Sequence, residues 1–147
     1  MSEKWRFLIV EDKPDIRNQL KAILPTSVPE GDEAESEECS DFTEGVRRMT
    51  QRRFDMLILD LKENDAFAGV DEDPPGLTIF RELKRFRFIP VVFFTGWPQY
   101  VRDQATSFVR VVTKGENFTE LRDEIRSVFD TNLPKLNRPG FAGAFVM

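Results

Sequence analysis

The chain contains no histidine. That removes the side chain that most often moves protons near neutral pH. It also removes histidine metal sites, histidine phosphotransfer within the chain, and any Ser–His or Cys–His nucleophile. A single cysteine, Cys39, leaves no internal disulfide and suits a reducing, cytoplasmic compartment. No apolar run approaches membrane-spanning length, and the opening Met1-Ser-Glu-Lys-Trp carries no signal-peptide pattern, so no membrane contact is expected. A Gly-rich phosphate loop with its lysine signature is missing, which argues against nucleotide hydrolysis. The net charge of -5 disfavours a broad nucleic-acid surface, and no direct nucleic-acid partner is expected.

What remains is ordinary for one globular domain. The 147 residues suffice for a single core and are too few for two. The stretch Phe54-Asp-Met-Leu-Ile-Leu-Asp60 organises the rest. Its apolar run, Met56 to Leu59, is too short for a helix and reads as a strand buried on both faces, closed abruptly by an acid. Three further runs read the same way. Phe7–Val10 ends in Glu11-Asp12, Ile89–Phe94 in Thr95-Gly96, and Phe108–Thr113 in Lys114-Gly115. The acid-rich stretch from Pro29 to Asp41 holds no Lys or Arg. It is either a poor edge strand over Ala34–Cys39 or a solvated loop.

Helical stripes alternate with these runs. Ile16, Leu20, Ile23 and Leu24 share one face, behind Asp12 as expected cap and Pro14 in the first turn. Phe42, Val46 and Met49 form a second stripe capped by Ser40 or Asp41, with Arg47, Arg48, Arg52 and Arg53 as a solvated face. Leu77, Phe80, Leu83 and Lys84 open a third helix after Pro74-Pro75-Gly76, and a short helix is expected within Trp97–Phe108. Leu121, Ile125, Val128 and Phe129 form the last stripe, with Asn117 and Glu120 at capping-box spacing. The connection from Lys62 to Pro75 is acidic, without periodicity, and far longer than the roughly 2–6 residues usual for such links. Alternating strand and helix implies a parallel sheet with right-handed crossovers and helices on both faces.

In such a sheet all the strand ends lie on one edge, where open α/β sheets place their ligands. That edge gathers Glu11, Asp12, Asp60, Thr95 and Lys114. Clustered carboxylates repel unless a cation enters, and a hard divalent ion, Mg²⁺ or Mn²⁺, needs only one or two of them directly. An ammonium can pair with a carboxylate or a phosphoryl oxygen, and a hydroxyl can donate to an added oxygen. Together these groups describe a carboxylate that takes a phosphoryl group. Each also has a plainer reading: Asp60 as a loop cap, Asp12 and Thr95 as helix caps, and Lys114 as a structural ion pair.

The set Glu11-Asp12, Asp60, Thr95-Gly96 and Lys114, in this order and at strand ends, resembles the receiver domain of two-component response regulators. The resemblance covers about residues 5–133. It implies a doubly wound, flavodoxin-like α/β fold with a five-stranded parallel sheet in the order 2-1-3-4-5, helices on both faces, and a receiver domain over 1–133. It implies Asp60 as phosphoacceptor and a metal site of Glu11, Asp12, Asp60 and the backbone carbonyl of Lys62, with Asp12 favoured over Glu11 as the direct ligand of the acidic pair. Thr95 would be the switch hydroxyl and Lys114 the phosphoryl-contacting lysine. It further implies a sensor histidine kinase or phosphotransfer protein as donor, slow self-catalysed dephosphorylation, and an output face of the fourth helix, fifth strand and fifth helix. A homodimer is a further expectation.

Several positions differ from the family pattern. Val111 stands where an aromatic usually couples to the threonine, with Phe108 as its possible substitute. Gly115 replaces a proline, and the connection after Asp60 is long. Two other functions remain on the sequence: a receiver-like binding module that signals without phosphorylation, and an aspartyl-nucleophile phosphatase of haloacid-dehalogenase type. The second wants an aspartate where Lys62 stands. Residues 134–147 read as a C-terminal tail or linker, through which a protein partner or a missing output domain would act.

Overall fold

Alternate residues along the central strands enter two separate apolar layers, and this alternation sets the architecture. The computed structural model describes residues 3–61, 75–86, 89–115 and 118–131. Five strands, β1 (Lys4–Val10), β2 (Glu33–Cys39), β3 (Met56–Leu59), β4 (Val91–Thr95) and β5 (Val109–Thr113), form one sheet in the order β2-β1-β3-β4-β5. All neighbouring pairs are parallel. The helices are α1 (Pro14–Ile23), α2 (Phe42–Gln51), α3 (Pro75–Phe86) and α4 (Thr119–Phe129).

Phe7, Ile9, Met56, Ile58, Val92 and Phe94 face α1 and α4, where they meet Leu20, Leu121, Ile125 and Val128. Leu8, Val10, Leu57, Leu59, Val91 and Phe93 face α2 and α3, against Phe42, Met49, Leu77 and Phe80. Burial on both faces is why β3 and β4 read as unbroken apolar runs. This is the doubly wound sheet that the strand–helix alternation implies.

The acidic segment is a full strand. β2 pairs with β1 along its whole length, from Lys4 opposite Glu33 to Val10 opposite Cys39. It forms because its charges find partners on other elements. Glu37 meets Arg48 at 3.2 Å and Arg52 at 2.6 Å, Glu38 meets Lys21 at 3.3 Å, and Glu35 lies 3.9 Å from both Lys4 and Arg6. Each such exposed pair contributes only about 0–1 kcal/mol, but together they relieve the repulsion along the edge. Arg48 and Arg52 therefore bridge to β2; Arg48 is half-buried, whereas Arg52 stays exposed on the solvated face.

Local signals succeed unevenly. Asp41 caps α2 as expected, its Oδ1 accepting from the Glu44 N–H at 2.7 Å. Asp41→Ala should cost about 1 kcal/mol, and Asp41→Asn much less, read by urea unfolding. For α1 the cap position is Lys13 and makes no side-chain cap bond. Asp12 lies one residue too early for that role. The expected cap of the last helix fails similarly: Phe118 occupies the cap position without a side-chain bond, and Asn117 lies outside the described residues.

The expected helix within 97–108 is also absent. Two single 3-10 turns, Pro98–Tyr100 and Arg102–Gln104, replace it. Pro98 offers no donor, and Val101 sits between the turns at φ -128, ψ 1, outside helical space. No apolar stripe continues far enough to sustain longer helix. The anticipated output face therefore lacks a helix between β4 and β5. Residues 62–74 and the tail from 134 lie outside the described residues.

Candidate phosphoacceptor site

Glu11, Asp60 and Lys114 each sit one residue beyond a strand, held by an added rung of the sheet's hydrogen bonds. The Glu11 N–H donates to the Cys39 carbonyl at 3.1 Å, the Asp60 N–H to Val10 at 3.2 Å, and the Lys114 N–H to Thr95 at 2.8 Å. The backbone is thus fixed where the side chains turn toward one another.

Lys114 stands at the centre of the group. Its Nζ lies 2.7 Å from Asp60 Oδ2 and 2.6 Å from Glu11 Oε1. The other oxygen of each carboxylate is also engaged. Asp60 Oδ1 accepts from the Leu61 N–H at 2.7 Å, and Glu11 Oε2 from the Lys13 N–H at 3.2 Å. Asp12 completes the cluster: one carboxylate oxygen from each of Glu11, Asp12 and Asp60 lies within 4.8 Å of the others. Glu11 and Asp60 are buried, and Asp12 is half-buried.

Burial pushes the Glu11 carboxyl up to about 7, against the pull of the Lys114 ammonium. For Lys114 burial works the other way, yet the Asp60 and Glu11 carboxylates outweigh it and hold the ammonium above the ordinary lysine value. The hard carboxylate oxygens of Glu11, Asp12 and Asp60 fit a divalent cation of the Mg²⁺ type.

The structure thus brings together Glu11, Asp12, Asp60 and Lys114 of the residues singled out in the sequence. Thr95 reaches the same edge, fully buried at the end of β4, but its Oγ1 accepts from the Trp97 N–H at 3.0 Å. Among the described residues no hydrogen bond joins it to Asp60. The Lys62 carbonyl lies outside the described residues. Val111 packs beside Trp97 and Tyr100 against the α2–α3 layer, whereas Phe108 joins the opposite layer, so Phe108 is no substitute for an aromatic at 111. Cys39 is buried, and burial pushes its thiol up to about 12, so it is no nucleophile at neutral pH.

No protein-family model matches the sequence, and no curated relative does. Solved structures match clearly. The response regulator TrrA of Thermotoga maritima, in complex with Mg²⁺ and BeF, is 25% identical with a TM-score of 0.63, over 84% of this chain and 98% of that one. The chain folds as a response-regulator receiver domain. Two further receiver domains agree. That of Erythrobacter litoralis PhyR gives a TM-score of 0.65 at 19% identity, over 86% of this chain and 92% of that one. The receiver domain of the Pseudomonas aeruginosa sensor histidine kinase PA1611 gives 0.64 at 21% identity, over 86% and 98%. The PA1611 domain carries a magnesium ion coordinated in its active-site cleft. Among the described residues of this receiver domain, no helix is long and apolar enough to cross a membrane.

Three contacts in the receiver domain escaped the sequence reading. Arg17 Nη1 donates to the Glu11 carbonyl at 2.7 Å, so α1 itself clamps the acidic turn. The Leu61 N–H orients the Asp60 carboxylate. Gly76 lies against the Asp60 backbone. Only the arginine carried a sequence signal, as a long cation within a turn of the Glu11-Asp12 pair.

The raised Glu11 pKa has a testable consequence. Between its ordinary value of 4.5 and about 7 the folded protein holds a proton that the unfolded chain has released. The Glu11 contribution to stability in the absence of divalent ions should therefore be fully present below that window, be lost as pH rises through it, and level off above about 7. Urea unfolding between pH 4.5 and 8 measures the slope, and Glu11→Gln should remove most of it.

Proposed function

We propose that this receiver domain, spanning about residues 1–133, is the phosphoacceptor module of a two-component system, with Asp60 taking a phosphoryl group from a sensor histidine kinase or phosphotransfer protein. The observation that carries the reading is the position of Lys114, bonded at once to Asp60 and Glu11 with Asp12 beside them. Resemblance to receiver structures with Mg²⁺ bound supports it.

An Asp60 carboxylate oxygen attacks phosphorus, the new O–P bond forms, and the bond to the donor's leaving group breaks with its electron pair going to that group. Asp60 Oδ1 stays oriented by the Leu61 N–H, and Lys114 is placed to follow charge from the carboxylate to the incoming phosphoryl oxygens. Glu11 and Asp12, with Asp60 and the Lys62 carbonyl, would hold Mg²⁺ or Mn²⁺. When bound, the ion would offset the acidic cluster and accept phosphoryl oxygens as ligands. The Thr95 hydroxyl, which accepts from the Trp97 N–H and keeps its own O–H to donate, would donate to an added oxygen, and the surface around Trp97, Tyr100 and β5 would pass the change to a protein partner. A cytoplasmic setting and self-catalysed loss of the phosphoryl group complete the reading.

The test is direct. Incubation with a small-molecule phosphodonor and Mg²⁺ should add one phosphoryl group by intact mass, and chelation of the divalent ion should abolish the addition. No adduct with any donor or kinase would favour a binding module that signals without phosphorylation. Val111 in place of an aromatic is the observation on that side. Rapid turnover of a phosphate ester would instead indicate a phosphatase.

A further inference from the structure

Gly76 lies in the first turn of α3, remote in sequence from the acid cluster. Its backbone rests directly on the acceptor. A Cβ at this position would overlap the Asp60 carbonyl oxygen and come within 2.7 Å of the Leu61 Cα. Both obstacles are backbone atoms, so no side-chain rotation relieves them. The Gly76 N–H donates to the Leu61 carbonyl at 2.8 Å. Leu61 is itself fully buried, and its N–H holds Asp60 Oδ1 at 2.7 Å. A chain of contacts therefore runs from α3 through the Asp60–Leu61 peptide to the carboxylate. The helix cannot drift alone, because Leu77 and Phe80 are buried in the layer that also holds Leu59 and Leu61. Gly76 does not adopt the left-handed conformation that Gly31 does, at φ 88. Space, not backbone freedom, is what demands a glycine.

We propose that Gly76 is a positioning residue for phosphoryl transfer: by docking α3 without a side chain against the Asp60–Leu61 peptide, it sets the direction in which the Asp60 carboxylate faces Lys114 and the donor. The inference rests on Asp60 as acceptor for its link to rate, but not for its link to geometry. Glycine at 76 lets the Leu61 N–H point at Oδ1. A methyl group there must push the Asp60–Leu61 peptide or the start of α3 away, turning that N–H and moving the carboxylate relative to Lys114.

The experiment compares three proteins: the parent, Gly76→Ala, and Val128→Ala as a control destabilised in the layer of α1 and α4, away from the acceptor. Two quantities are read on each, the amide resonance of Leu61 and the rate of adduct formation with a small-molecule phosphodonor and Mg²⁺. In Gly76→Ala the Leu61 resonance should move and the rate should fall by about 10- to 100-fold, the order expected from misplacing a reacting group by an ångström or less. Val128→Ala should lower the melting temperature while leaving both readouts near the parent. A folded Gly76→Ala protein with the parent's Leu61 resonance and rate would overturn the proposal, as would an equal loss of rate in Val128→Ala. If Gly76→Ala does not fold, amide exchange in the parent decides. A Gly76 N–H protected like the amides of β3 supports the docking, and one exchanging at the rate of an open loop overturns it. If the parent takes no phosphoryl group at all, the proposed function falls, and the Leu61 comparison still decides the geometric role of Gly76.

Discussion

Lys114→Ala should slow phosphoryl transfer to Asp60 by about 10²- to 10³-fold, the cost of removing one preorganised charge from a developing anion. The same change should alter folding stability in a way that reveals the site's electrostatics. The lysine side chain is 19% exposed, while those of its partners Glu11 and Asp60 are 2% and 5% exposed. Removing one partner of a buried pair costs about 3–5 kcal/mol when the other charge has nowhere to go. Here Glu11 has a way out, because burial already pushes its carboxyl up to about 7 and it can take a proton in place of the lost ammonium. The loss at neutral pH should therefore fall short of that range and shrink further toward pH 5. Millimolar Mg²⁺ should restore part of it by replacing the missing positive charge. Urea unfolding at pH 5 and 8, with and without Mg²⁺, separates these effects. A loss that ignores both pH and Mg²⁺ would mean that Lys114 acts by packing alone.

Asp60→Asn should abolish the adduct completely with every donor, because an amide oxygen does not form the acyl phosphate. Its effect on folding should be much smaller than that of Lys114→Ala. The ammonium keeps Glu11 at 2.6 Å, and the single asparagine Oδ1 still accepts from the Leu61 N–H, so only the Lys114 contact to this side chain is lost. Mg²⁺ affinity should fall, since one of three clustered carboxylates is lost. Intact mass and calorimetric titration with Mg²⁺ measure the two results. An adduct that survives in Asp60→Asn would place the acceptor elsewhere in the chain.

Much of the site was legible because its residues follow apolar runs that have no other reading. Met56–Leu59 and Phe7–Val10 are too short for helices and too apolar for loops, so Asp60 and Glu11 fall at strand ends by elimination. β2 was legible only by halves, since its stability comes from Arg48, Arg52 and Lys21, cations that local sequence does not place beside Glu37 and Glu38. The segment after Thr95 misled because its composition suits a helix while Pro98 and Val101 interrupt one. Gly76 could not be recognised at all without coordinates. What it avoids is an overlap with a peptide far back along the chain, and no periodicity records that.

The rungs that extend the ladder past β1, β3 and β5 have a consequence for how such a domain can vary. Glu11, Asp60 and Lys114 are anchored by the sheet before the following connections begin. The lengths of those connections beyond their first residues are therefore largely decoupled from these backbone positions, apart from the return contacts at Arg17 and Gly76. A lineage can lengthen the chain after Asp60, as the acidic stretch from Lys62 to Pro75 does here, or shorten the segment after Thr95 to two tight turns, without having to rebuild the chemistry each time. Diversity in what the domain communicates can accumulate beside a centre whose coordinates scarcely change.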